Sequence, residues 1–118
     1  MPNVLIRWRH IPGFGRVQVR KLALEMPRIC SSILSIPDVR KYEMEEIKVK
    51  VDPQNDEMDV NIPPLRIEIS AHNRPEQVLR KDVIEALVVD EVRNLLGEAI
   101  HSNGEVLLNL SETAWRKI

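Results

Sequence analysis

Residues 45–52, EEIKVKVD, alternate Ile47, Val49 and Val51 with Glu46, Lys48 and Lys50. A period of two predicts a half-buried β-strand, because successive side chains leave opposite faces of an extended backbone. On the N-terminal side, residues 2–10, PNVLIRWRH, set Val4, Ile6 and Trp8 against Asn3, Arg7 and Arg9, with Leu5 the exception, and read as an earlier strand. IPGFG breaks that strand. From Val17 onward the apolar spacing changes to three and four, with Val19, Leu22, Met26, Ile29 and Ile33 forming one face of a helix. Pro27 stands inside this pattern, where a missing backbone donor and a ring clash predict a kink or a split. SIPD then ends the helix.

On the C-terminal side, the polar stretch PQNDEMDVNIPP is long for a tight hairpin and predicts a loop or a ragged ribbon. LRIEIS follows as a strand with Leu65, Ile67 and Ile69 on one face. Residues 73–97 predict a single helix: Asn73 can cap, Pro75 suits the first turn, and Ile84, Val88, Val92 and Leu95 form its buried stripe before Gly97. EVLLNL is the last strand. The element order is therefore β-α-β twice, in pseudo-repeats of about 2–52 and 64–112 within one domain spanning 1–118. Pro2 with His10, and Pro64 with His72, share one spacing. The expected class is α+β: two β-α-β units making a four-stranded mixed sheet with two helices on one face. A ferredoxin-like split βαβ has the same element order. Strand adjacency separates the two, since the first strand runs parallel to the second in one arrangement and to the third in the other.

Composition bounds the function. A chain of 118 residues, 43% hydrophobic and 30% charged, can bury a core without staples. The lone Cys30 excludes an internal disulfide framework and sits among helix residues as packing. No leader-like segment and no apolar run of about 18 residues is present, which predicts a soluble, cytoplasmic protein that no membrane holds. The net charge of −1 argues against nucleic acid, and the aromatics beyond Trp8 are too few for a stacking platform. The charge is uneven, however: residues 1–28 carry +5 and the remainder −6. A cationic end attracts small carboxylates. His10, His72 and His101 lack ligand spacing, and GFG lacks a nucleotide fingerprint, so neither metal nor cofactor is expected.

The start of the chain carries the chemistry. If Met1 is removed, Pro2 becomes a secondary amine fixed by its ring to a strand. A free α-amino group titrates at about 7.7 to 8.0, and burial beside cations lowers that value. Such a base can move a proton next to a carbonyl, provided that cations stabilise the enolate. Arg7 and Arg9 share the strand with Pro2, yet Arg9 lies roughly 23 Å along it, so only a neighbouring subunit could deliver that cation.

The start MPNVLIRW, the double β-α-β order over nearly the whole chain, its length and the strand EEIKVKV together resemble the tautomerase superfamily, which includes 4-oxalocrotonate tautomerase, 5-carboxymethyl-2-hydroxymuconate isomerase and macrophage migration inhibitory factor. The resemblance implies a homotrimer with sites between subunits. It also implies a keto-enol tautomerase or isomerase acting on a small carboxylated substrate, with Pro2 as acid and base. Lys48 falls about where short members place a substrate-binding arginine. Arg9 and Arg16 flank the position of another, near Pro12, where this chain has no cation. The aromatic that those members carry in a glycine-rich hairpin is absent from HSNGEV. The alternative is a non-catalytic member of the fold, or a ferredoxin-like interaction module, with a cationic binding surface.

Overall fold

Strand β1 (Asn3–Trp8) occupies the interior of a four-stranded sheet whose order is β2-β1-β3-β4. It runs parallel to β2 (Lys48–Pro53), with Asn3 opposite Lys48 and Trp8 opposite Pro53. On its other side it runs antiparallel to β3 (Leu65–His72), with Asn3 opposite Ser70 and Trp8 opposite Leu65. β3 in turn pairs parallel with β4 (Gly104–Ser111). Two parallel β-α-β units thus meet back to back across β1 and β3. A split βαβ would instead set the first strand parallel to the third, and this sheet does not. The computed structural model describes residues 2–37, 39–54, 62–72, 74–97 and 104–111. Met1, Asn73, His101 and Trp115 lie outside the described residues, as do the first three residues of HSNGEV.

One face of the sheet is covered by α1 (Arg16–Leu34) and α3 (Lys81–Leu96). Leu22, Met26 and Ile29 from α1 and Ile84, Val88 and Val92 from α3 close over Val4, Ile6, Ile67, Ile69 and Leu108, all buried. These are the residues that the two periodicities select, because an apolar stripe every three or four residues can face an apolar row every second one. The other face carries no described helix and is mostly polar, with Leu5 and Leu107 in its middle row. Its rows follow from the register: Lys48, Asn3, Ser70 and Asn109 cross the sheet at one end, and Asp52, Arg7, Arg66 and Glu105 at the other.

Local features refine the expectation. Of the kink or split expected at Pro27, the split is absent, and α1 continues to Leu34. Leu22, Met26, Ile29 and Cys30 are buried on both sides of the proline, and their packing offsets a helix penalty of about 3 kcal/mol. The second helix, in contrast, is divided. Arg80 leaves helical geometry at φ −106° and ψ 8°, separating α2 (Pro75–Leu79) from α3. α2 is anchored elsewhere, since the buried Gln77 donates from Nε2 to the Leu34 carbonyl at 2.8 Å and satisfies an end group of α1. Finally, the Pro–His echo is one residue out of step with the sheet faces. Pro2 continues the helix-side alternation of Val4 and Ile6, whereas Pro64 directly precedes the helix-side Leu65.

Candidate functional site

Pro2 stands at the head of β1 and is buried. Its carbonyl accepts the Lys48 N–H at 3.3 Å, so the starts of β1 and β2 are bound together. The connection from α1 fixes where β2 begins. Ser31 Oγ donates to the Tyr42 carbonyl at 2.6 Å, and Tyr42 N–H donates to Ser35 Oγ at 2.9 Å. Arg40 reaches Glu46 at 3.1 Å and lies over the Tyr42 ring, 4.7 Å from its centre. With Tyr42 and Ile47 buried by these contacts, Lys48 emerges as an exposed cation beside the first residues of the chain.

Proximity along the sheet is not identity of face. Lys48 aligns with Asn3 and shares its open face, while Pro2 continues the helix-side row. The ammonium of Lys48 therefore departs from the sheet on the side away from the Pro2 ring. Beside it, the same open-face row supplies the hydroxyl of Ser70 and the amide of Asn109. Sequence reasoning passed over Ser70 and Asn109. The only signal was their place in the polar half of each strand's alternation, which becomes a shared row once the register is known.

Arg9 and Arg16 are at the other end of the molecule. Arg9 N–H donates to the Pro64 carbonyl at 2.9 Å, just past the Trp8–Leu65 pair. Between Pro2 and Arg9 lies the whole of β1, about 20 Å of extended chain. Arg16 opens α1 after Gly15, whose N–H is held by Gln18 Oε1 at 2.9 Å. A side chain at Gly15 would place Cβ 3.0 Å from His10 Cδ2, so the glycine lets the imidazole close over the head of the helix. Exposed Arg16, Arg20 and Lys21 join half-buried Arg9 here, and among the described residues no carboxylate pairs with any of the four. The structure thus brings Lys48 to the end of the sheet that holds Pro2, and keeps Arg9 and Arg16 away from it.

Neither of two cavities in the chain, one of about 80 Å³ between α3 and the β3–β4 pair and one of about 660 Å³ beside the end of α1, is lined by Pro2, Lys48, Arg9 or Arg16. Cys30 is fully buried, and desolvation pushes its thiol up to about 12, which suits a packing residue and not a nucleophile. Among the described residues, no three His, Cys, Asp or Glu side chains gather where they could hold a metal ion. No described helix is long and apolar enough to cross a membrane.

No protein-family model and no curated protein matches the chain. Solved structures do. A macrophage migration inhibitory factor-like protein from Entamoeba histolytica superposes with a TM-score of 0.59 at 14% identity, over 93% of this chain and 88% of that one. A member of the cis-3-chloroacrylic acid dehalogenase family gives 0.59 at 11% identity, over 92% and 74%. A fused 4-OT, solved as a symmetric trimer, gives 0.51 at 14% identity, over 93% and 84%. At such identities the likeness is one of fold alone.

Proposed function

We propose that the chain is a tautomerase-like isomerase that moves a proton on a small carboxylated keto-enol substrate. In this reading Met1 is removed, because an acylated Pro2 nitrogen has no basicity, and the freed secondary amine takes and returns the proton. Lys48 attracts the substrate carboxylate toward the head of β1. Arg9 and Arg16 come from a neighbouring copy in a homotrimer, where they stabilise the enolate charge as it develops.

The observation that carries this reading is the separation along β1. The only proline that removal of one residue could turn into a base stands at one end of the sheet, and the unpaired arginines stand at the other. A head-to-tail ring of copies would bring such ends together. The trimer of the fused 4-OT and the superfamily architecture agree with it.

The experiment combines intact mass of the native protein with turnover of phenylenolpyruvate and 2-hydroxymuconate. Loss of Met1, ketonisation by the wild type and its absence in Pro2→Ala support the enzyme. Retained Met1 with no turnover favours the second reading, a non-catalytic member of the fold. One observation speaks for that alternative: Arg9, Arg16, Arg20 and Lys21 form an unpaired cationic surface that could bind an acidic partner without any chemistry.

A further inference from the structure

The two halves of the sheet begin differently. In the first, the connection between α1 and β2 delivers the buried Tyr42 and Ile47 beneath the C-terminal half of α1. In the second, β4 begins at Gly104, opposite Leu65, beneath the C-terminal half of α3. Nothing local demands this glycine. Its φ is not positive, and an added Cβ would meet Leu65 only at ordinary contact distances of 3.5 Å. What the missing side chain leaves is space. A cavity of about 80 Å³ opens there, walled by Leu65, Ile67, Val89, Val92, Gly104 and Val106.

Two charged residues also border it, and they differ in commitment. Glu105 reaches Arg66 at 3.2 Å on the open face of the sheet. Arg93 is exposed in the last turns of α3, and among the described residues no carboxylate pairs with it. The result is a recess with apolar side chains along its walls, charged residues at its border, and Arg93 among them without a carboxylate partner among the described residues. A dry cavity of about 150 Å³ holds a benzene ring, so a recess of half that size suits a tail of three or four carbons.

We propose that this recess is a second ligand site, separate from the Pro2 end of the sheet, and that it takes a small carboxylate with a short branched aliphatic tail. The tail lies against Leu65, Val89, Val92 and Val106, and the carboxylate pairs with Arg93. Leu65 and Gly104 are at the far end of the strands from Pro2, on the end that carries Arg9, but the recess is lined by none of Pro2, Lys48, Arg9 or Arg16, so isobutyrate that still binds Pro2→Ala separates the two ideas.

Titration of the ¹⁵N-labelled full chain with isobutyrate, and in parallel with uncharged isobutyramide, tests the site. Isobutyrate is expected to shift the amides of Val89, Val92, Gly104 and Val106 saturably. Isobutyramide, and isobutyrate with Arg93→Gln, should bind about two- to fivefold more weakly, the worth of an exposed ion pair. Gly104→Ala, which fits without a clash, should also weaken isobutyrate by narrowing the recess, while Pro2→Ala should leave it unchanged. The proposal is overturned if no saturable shift appears, as for a recess that holds only water. Equal binding of acid and amide, indifference to Arg93→Gln, or shifts centred on Asn3 and Lys48 would overturn it too.

Discussion

The two ends of β1 are built from the same strand and put to opposite uses. At its head the backbone is clasped from the side, with Lys48 N–H on the Pro2 carbonyl, and Lys48 is an exposed cation on the edge strand beside it. At its tail, Gln54 N–H reaches the Trp8 carbonyl at 2.7 Å and Gln54 Nε2 reaches the Pro63 carbonyl at 2.7 Å, so β2 and β3 are stitched across β1. The cations there are several, and α1 begins among them with no acidic residue in its first turn. One end holds the buried Pro2 with the edge-strand Lys48, the other the exposed Arg16, Arg20 and Lys21 at the start of α1. If the two ends serve one proton-transfer site as proposed, a single copy cannot assemble it.

The sharpest way to break this contrast is subunit mixing. Pro2→Ala and the double variant Arg9→Gln/Arg16→Gln should each lose about 10² to 10⁴ in turnover, as removal of an acid–base or charge-stabilising group does. Unfolding the two together and refolding them should recover measurable phenylenolpyruvate ketonisation, since some sites then pair an intact proline with intact arginines. If the mixture stays as inactive as its components, the two ends do not serve one site.

Next in size is the strand that holds the ends apart. Ile6→Ala empties a fully buried position and should cost about 2 to 5 kcal/mol in urea unfolding. Val51→Ala, opposite Ile6 on β2 but 37% exposed, should change stability by no more than about 0.5 kcal/mol. Comparable losses would mean that the edge strand is covered in the assembled protein.

Smaller again are the ties at each end. Gln77→Ala strips the Leu34 carbonyl of its buried partner near the head of the sheet and should cost about 1 to 3 kcal/mol. Gln54→Ala, at the half-buried tail, should cost about 0.5 to 1.5 kcal/mol, again by urea unfolding.

The last test concerns pH. The folded thiol of Cys30 titrates at about 12 against 9.0 when unperturbed, so between those values the unfolded chain gives up a proton that the folded one keeps. The contribution of Cys30 is whole below the unfolded value and is lost as pH rises toward the folded one. It amounts to about 1.4 kcal/mol per pH unit at most. Cys30→Ala should flatten that part of the alkaline loss when unfolding free energies are compared from pH 8 to 10.5.

Much of the architecture was legible because burial has a period. Val4 and Ile6, Leu65 and Ile67, and the stripe from Val19 to Ile29 announce strands and helix without any partner being known. Pairing was not legible. Two β-α-β units can be joined in more than one order, and the hydrogen bonds that choose between β2 and β3 as parallel partner for β1 leave no trace in either strand's own residues. The clearest alternation, EEIKVKVD, belongs to an edge strand, where a lysine on every second residue is as much a solvent signature as a core one. Pro27 shows the converse: a local backbone penalty is visible in sequence, while the buried Leu22, Met26 and Ile29 that keep the helix unbroken act only in three dimensions. For the site, the residue types could be named, but their distances could not, since those depend on the length of β1 and on a register that the chain fixes across residues far apart.

The interior position of β1 also sets a timetable for synthesis. It is made before either of its partners, and its second edge stays bare until Leu65 through Ser70 have left the ribosome. Until Lys48–Pro53 emerge β1 has no strand partner at all, and over the short stretch from there to Leu65 only β2 shields it. Shielding of that strand during elongation, by a chaperone or by early docking of α1, would govern how much newly made protein reaches the native sheet.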